Sequence, residues 1–338
     1  MIFLSLIAVL AIVHFTTFGA IIQKDAWFIG LINKLRALPA VSSAPLLPMI
    51  LALAIPLVLL VFCMLVVLHY GLSLYLFFIY VPVLLYSLGR GNFVADVNHY
   101  IDTATRGDSV LASKLVDDMC GHVDMGRDSR EISGGRDIND WKALHTQALK
   151  IISYRGFERT FAVLFWFVIA GPVGALLYRL SVIYREQTVL HSSAAIMAEK
   201  WLWLIELPAV RLMGLTWAFV GNFDSCPWRE SLLDTQNSSI TILNNSLRGA
   251  LSAPTDVYIS ETVTVATAKT DAEELAETAE IIEHNEEAQA VIEDLVGITL
   301  SPQAEPAYSF ALVKSSVPLY SRSLLFYVGV IAFATLFI

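Results

Sequence analysis

Two ionisable residues stand where a membrane segment is least able to carry them. Glu206 and Arg211 lie inside Trp201–Phe223, WLWLIELPAVRLMGLTWAFVGNF, which is otherwise largely apolar. A charge at the centre of a bilayer costs about 2.5–3.5 kcal/mol on insertion scales, so such groups pair with each other or face a cavity. Paired, they describe a polar site near the membrane surface in which Arg211 holds an anionic ligand group. Unpaired, they snorkel to water: Pro208 ends a helix at the interface, among Trp201, Trp203 and Trp217, an aromatic-belt composition. The composition favours the snorkelling arrangement.

A second set of cations brackets the apolar run Thr160–Leu177, with Arg155 and Arg159 before it and Arg179 and Arg185 after it. A guanidinium fork grips phosphate or carboxylate through two parallel hydrogen bonds. The same placement also serves as positive flanks that orient a helix, and that is the expected role. Arg179 is the exception, because Tyr178 and small residues surround it. The candidate ligand-binding set is therefore Arg159, Tyr178, Arg179, Glu206 and Arg211. His14, His99, His122, His145 and His191 show no ligand spacing, and Cys63, Cys120 and Cys226 are scattered. No metal, no cofactor and no disulfide framework is expected. Neither GxxxxGK[ST] nor GxSxG occurs, and spacing alone names no catalytic residue.

These residues need membrane helices to position them. The 338-residue chain is 56% hydrophobic and only 16% charged, with mean hydropathy +0.62, where soluble domains sit nearer a quarter charged. Apolar runs cover Ile2–Ile22, Leu46–Leu68 and Leu72–Leu88. No basic region precedes the first, so it reads as an uncleaved anchor. The tight turn His69–Gly71 makes the next two an antiparallel helical hairpin. The fourth run, Thr160–Leu177, is long enough to cross as a helix, with a small-residue notch at Gly171, Pro172, Gly174 and Ala175 for close packing. Trp201–Phe223 reads as amphipathic or broken, and Leu324–Ile338 as just long enough to reach most of the way across.

Residues 89–159 hold ten Lys or Arg and eleven Asp or Glu, a water-facing composition. Asp108 is placed to cap a helix over Ser109–Met119, and Asn139 or Asp140 to cap another that runs on into the fourth apolar stretch. The net charge of −9 is local: residues 256–305 alone carry −12 and the rest of the chain +3. Thr270–Leu295 reads as a solvated acidic helix or a disordered tail. A basic footprint for nucleic acid is missing. Counting basic residues near membrane ends places 23–45 and 89–159 inside, with Arg179, Arg185 and Lys200 outside.

The fold class is thus all-α: a polytopic integral membrane helical bundle with a helical water-facing loop domain. It divides into three membrane helices (1–88), a cytoplasmic helical loop domain (89–159), a core membrane motif pair (160–223), a polar region with the acidic insert (224–322) and a C-terminal membrane helix (323–338). The lipid bilayer is its first partner. A homo-oligomer, and a protein partner for the acidic segment, are left open.

FERTFAVLFWFVIAGPVGALLYRL, followed by LIELPAVRLMGLTWAFVGNF, resembles the AmpE family of bacterial inner-membrane proteins. The resemblance extends to RGNFVADVNHYIDTATRGDS and to the C-terminal apolar helix. It implies a multi-pass protein of the Gram-negative inner membrane, a regulatory signalling modulator linked to β-lactamase expression and peptidoglycan recycling. A small anionic metabolite bound between the helices fits that role. The family is distantly related to the CobD/CbiB membrane synthases of cobalamin biosynthesis, which implies an alternative: a ligase joining an amine phosphate to a corrinoid carboxyl. In those relatives aspartates follow the Leu-Tyr-Arg motif, whereas Leu180–Lys200 here holds only Glu186 and Glu199 as acids. That departure favours the AmpE-like, non-enzymatic branch.

Overall fold

The computed structural model describes residues 2–15, 25–38, 46–71, 73–88, 93–120, 140–188, 192–228, 237–251 and 304–336. The acidic segment and the helix expected over 270–295 lie outside them. Among the described residues every regular element is helical. In order these are α1 (Ile2–Phe15), α2 (Ala26–Arg36), α3 (Leu47–His69), a 3₁₀ turn (Ser73–Tyr75), α4 (Leu76–Ser87), α5 (Phe93–Thr105) and α6 (Ser109–Cys120). Then come α7 (Trp141–Gly156), a π-helical turn (Phe157–Phe161), α8 (Ala162–Glu186), α9 (Ser193–Val220), α10 (Ser239–Ala250) and α11 (Ala304–Leu336). Among the described residues four helical units are long and apolar enough to cross a membrane: Leu47–His69, Trp141–Glu186, Ser193–Val220 and Ala307–Phe333. The protein is an all-helical membrane bundle.

Local chemistry sets the starts of several helices. The Asp108 carboxylate accepts from Leu111 N at 2.9 Å, and the Asp140 carboxylate from Ala143 N at 3.0 Å. Ser192 and Ser238 do the same for α9 and α10. Each satisfies a donor that the first helical turn leaves without a partner. Between Asn139 and Asp140, the cap is Asp140, and α7 does run on into α8, through the π turn.

The decisive feature is at Gly171. Its φ of 63° and ψ of −152° break the helical path inside α8, in a region essentially reserved for glycine. Pro172 follows, with φ preset for the first position of a new helix. The ion pair between Glu158 and Arg185, at 2.6 Å, shows how far the chain turns. A straight helix would hold those residues about 40 Å apart. The stretch is therefore a re-entrant hairpin: a first arm of Phe157–Ala170, a tip at Gly171 and a second arm of Pro172–Glu186, nearly antiparallel. Close packing near the tip agrees, since a Cβ on Gly174 would run into the Trp166 carbonyl eight residues back.

This corrects the expectation of a single crossing over Thr160–Leu177. The second arm is about 22 Å long at the α-helical rise, short of the ~30 Å hydrocarbon core, whereas the first continues α7 through the π turn. The sidedness count changes with it. Arg185 lies at the same end of the hairpin as Arg155, not across the membrane from it. Non-helical backbone at membrane depth needs shelter inside protein, and both Gly171 and Pro172 are buried.

Two further expectations change. Of the two alternatives for Trp201–Phe223, amphipathic or broken, the break falls: α9 passes through Pro208 as one 28-residue helix. Membrane helices tolerate such a proline because neighbours satisfy the freed backbone groups. The C-terminal helix starts at Ala304, well before the apolar run at Leu324, and its first half is amphipathic enough to bury Leu312, Val313 and Ser316.

Among the described residues the bundle has two hydrophobic cores. The larger gathers side chains from α1, α4–α7, both arms of the hairpin, α9, α10 and α11. The smaller packs Phe28, Ile32 and Leu35 of α2 against Met49, Ala52 and Leu53 of α3 and against Leu180 and Ile183 of the second arm. The outer face of α3 exposes Val58, Leu59, Phe62 and Leu65, as a helix apolar all round does when lipid surrounds it. The expected α3–α4 hairpin forms at its turn, but its arms part: α4 packs on the re-entrant hairpin and α1, whereas α3 packs on α2 and the second arm.

Candidate functional site

At the open end of the re-entrant hairpin, ionic groups meet out of water. The π turn presents Glu158 inward, only 3% exposed; such turns add a residue to the ladder and re-aim the side chains around it. Glu158 accepts from Arg155 Nη1 at 2.7 Å and from Arg185 Nη2 at 2.6 Å, one carboxylate oxygen to each. Arg155 also reaches Glu186 at 3.5 Å. Its Nε and Nη2 donate to the Met119 and Cys120 carbonyls, both at 2.9 Å. A cation on carbonyls at a helix end is favourable on both hydrogen-bond and dipole grounds, so Arg155 ties α6 to the hairpin.

The network continues inward. Arg185 Nη1 donates to Tyr154 Oη at 2.6 Å, and Tyr154 donates to Glu206 Oε1 at 2.8 Å. Tyr178 donates to the same oxygen at 3.1 Å. One connected path therefore runs Glu186, Arg155, Glu158, Arg185, Tyr154, Glu206, Tyr178, and joins α6, α7, both hairpin arms and α9. Arg185 Nε has no hydrogen-bond partner among the described residues.

Of the five residues expected to form a ligand site, this network contains Tyr178 and Glu206. Arg179 points elsewhere and pairs with Asp25 at 3.1 Å, fixing the start of α2 to the second arm. Arg159 pairs with Asp96 of α5 at 3.0 Å, on the partly exposed rim. Arg211 is half-buried, five residues beyond Glu206 on α9. The flank reading of Arg155 and Arg185 is overturned: each is less than a tenth exposed and ion-paired. Glu206 does not snorkel either, since it is 2% exposed and hydrogen-bonded. The sequence reading missed Tyr154 and Glu158. Glu158 carried one signal, its position three residues after Arg155, the spacing at which helical side chains meet.

A family model described as the regulatory signalling modulator protein AmpE matches residues 1–275. The chain belongs to the AmpE family. The match takes in both hairpin arms, α9 and α10, and hence every residue of the ionic network. It stops before α11, so the likeness expected at the C-terminal helix is not part of it, and no relationship to the synthases comes with it. Neither the curated proteins nor the solved structures yield a match to this AmpE-family chain.

Chemically, the network is closed upon itself. Each carboxylate has cationic or hydroxyl donors, and the arginine forks are largely engaged. Removing one member of a buried ion pair strands the other at a cost of about 3–5 kcal/mol, whereas releasing both together into water does not.

Proposed function

We propose that this AmpE-family signalling modulator works through the ionic latch at the open end of its re-entrant hairpin. The observation that carries the reading is the Glu158 carboxylate, held between Arg155 of α7 and Arg185 of the second arm. With the latch made, the two arms, α6 and α9 are fixed together. With it opened, the hairpin is free to shift against α2 and α9, and that shift is the signal. A small anionic metabolite acts by competing with Glu158 for the two guanidinium forks. It favours the open condition only in so far as it binds that condition better.

Family membership favours a Gram-negative inner membrane as the setting and β-lactamase expression as the output. Anhydromuramyl peptides, which carry several carboxylates, are the effector class of choice. The test is complementation of a strain lacking its own AmpE-family protein, with β-lactamase activity followed after β-lactam challenge. Wild type restores the normal induction curve, Arg185→Met alters it while still inserting in the membrane, and Lys114→Gln, an exposed change on α6, does not. Identical induction by wild type, R185M and empty vector removes the latch reading. For the ligand, anhydromuramyl tripeptide is expected to shift the unfolding midpoint of purified wild type and not of R185M; equal shifts in the two place its binding elsewhere.

A further inference from the structure

A groove of about 710 Å³ lies away from the ionic network, between α2 and α3. Trp27, Gly30 and Lys34 form one wall, Ile55, Leu59 and Leu60 the other, and Leu176 of the second hairpin arm the floor. Its volume falls within the range of small-molecule sites. Its chemistry is that of a lipid chain with one polar end. Apart from Lys34, every side chain in the lining is uncharged, and among the described residues no acid lines it. Lys34 stands in the last turn of α2, beside Arg36, which donates to the Gln187 carbonyl at 2.9 Å at the open end of the hairpin. The cation therefore sits near the level of the open end of the hairpin, and the apolar walls run on from it toward the tip.

Two features keep the groove open. Gly30 carries no side chain, and a Cβ built there meets nothing within 4 Å. Pro56, on the α3 wall, removes a backbone donor from the helix interior and favours a bend there. Around the groove, Trp27, Ile55 and Leu59 remain largely exposed. Apolar surface of that size on a membrane helix faces acyl chains, not water.

We propose that this groove binds one anionic glycerophospholipid of the surrounding bilayer, an acyl chain lying between α2 and α3 and its phosphate on Lys34. Its floor is the second arm of the hairpin, so an occupied groove braces the same arm that carries Arg185 at its end. The site stands on the α2–α3 geometry and does not depend on the latch reading.

The experiment uses the full chain in nanodiscs containing phosphatidylglycerol or phosphatidylcholine, with native mass spectrometry of retained lipid and Trp27 quenching by brominated acyl chains. Wild type retains one phosphatidylglycerol, preferred over phosphatidylcholine by about fivefold, the ratio one lysine near an anionic surface supplies. Lys34→Gln abolishes the preference and leaves chain occupancy. Gly30→Leu fills the groove and abolishes retention of either lipid, while Gly30→Ala, which meets no neighbour, keeps it. The quenching component lost in Trp27→Phe is the same component lost in G30L. Retention unchanged by G30L, a preference unchanged by K34Q, or protection of Trp27 by a second copy of the chain instead of lipid each overturns the proposal.

Discussion

Arg185 and Glu158, twenty-seven residues apart in the chain, meet at 2.6 Å because Gly171 turns the chain back on itself between them. Both side chains are more than nine-tenths buried, and among the described residues Glu158 is the one carboxylate that Arg185 pairs with, although Glu158 is shared with Arg155. Glu158→Gln is expected to destabilise the protein by about 3–5 kcal/mol, by stranding buried guanidinium charge, and Arg185→Met by less, because Glu158 keeps its pair with Arg155. The double variant costs less than the sum of the two, with a coupling of about 1–3 kcal/mol. Unfolding midpoints in detergent for the four members of the cycle check it. Strict additivity means that the two groups do not hold each other.

The tip makes a separate prediction. Gly171→Ala meets no steric neighbour but asks an L-residue to adopt φ of 63° with ψ of −152°, and is expected to cost about 1–3 kcal/mol through the backbone alone. Gly174→Ala fails for a different reason: its methyl would press on the Trp166 carbonyl and come within 2.7 Å of the Ala170 Cβ. If the hairpin is re-entrant, cysteines placed at Gln187 and at exposed Lys114, in a background without native cysteines, react with an impermeant maleimide from the same side of the membrane. Labelling from opposite sides means that the hairpin is a crossing helix after all.

The helices themselves were legible in the sequence, because their apolar periods, the Asp108 and Asp140 caps and the charge-rich 89–159 segment are local signals. The reversal was not. Gly171-Pro172 reads equally as a packing notch and as a turn, since a glycine's φ is chosen by tertiary contacts. Once the turn is missed, Arg185 falls on the far side of the membrane from Arg155, and both look like flanking charges. Tyr178 and Glu206 stood out as polar groups in apolar surroundings. Their shared partner Tyr154 did not, being one aromatic residue in an otherwise mixed helix.

The two tyrosines that share Glu206 Oε1 are not equivalent. Tyr178 gives the carboxylate one hydrogen bond at 3.1 Å. Tyr154 gives a shorter one at 2.8 Å and also accepts from Arg185. Tyr178→Phe is expected to cost about 1–2 kcal/mol, as loss of one buried hydrogen bond, and Tyr154→Phe about 2–4 kcal/mol, because Arg185 loses an acceptor as well. The rank order is the test: a Y178F protein less stable than Y154F contradicts the path through Tyr154.

Cys226 lies past the end of α9, 5% exposed, with its thiol 3.5 Å from the Ser246 carbonyl. Burial disfavours the thiolate and pushes the group from 9.0 up to about 11. At pH 8 only about one molecule in a thousand then carries the thiolate, the form that reacts. Alkylation of Cys226 in the folded protein is expected to be at least tenfold slower than in denaturant. The same shift couples to stability with a definite sign. Between pH 9 and pH 11 the unfolded chain releases the proton while the folded chain keeps it. The contribution is thus full below pH 9 and is lost as pH rises toward 11. A Cys226→Ala variant should show a shallower loss of stability across that interval than the parent. Equal slopes, measured in chemical denaturation from pH 8 to pH 11, mean that the Cys226 thiol ionises in the folded chain as readily as in the unfolded one.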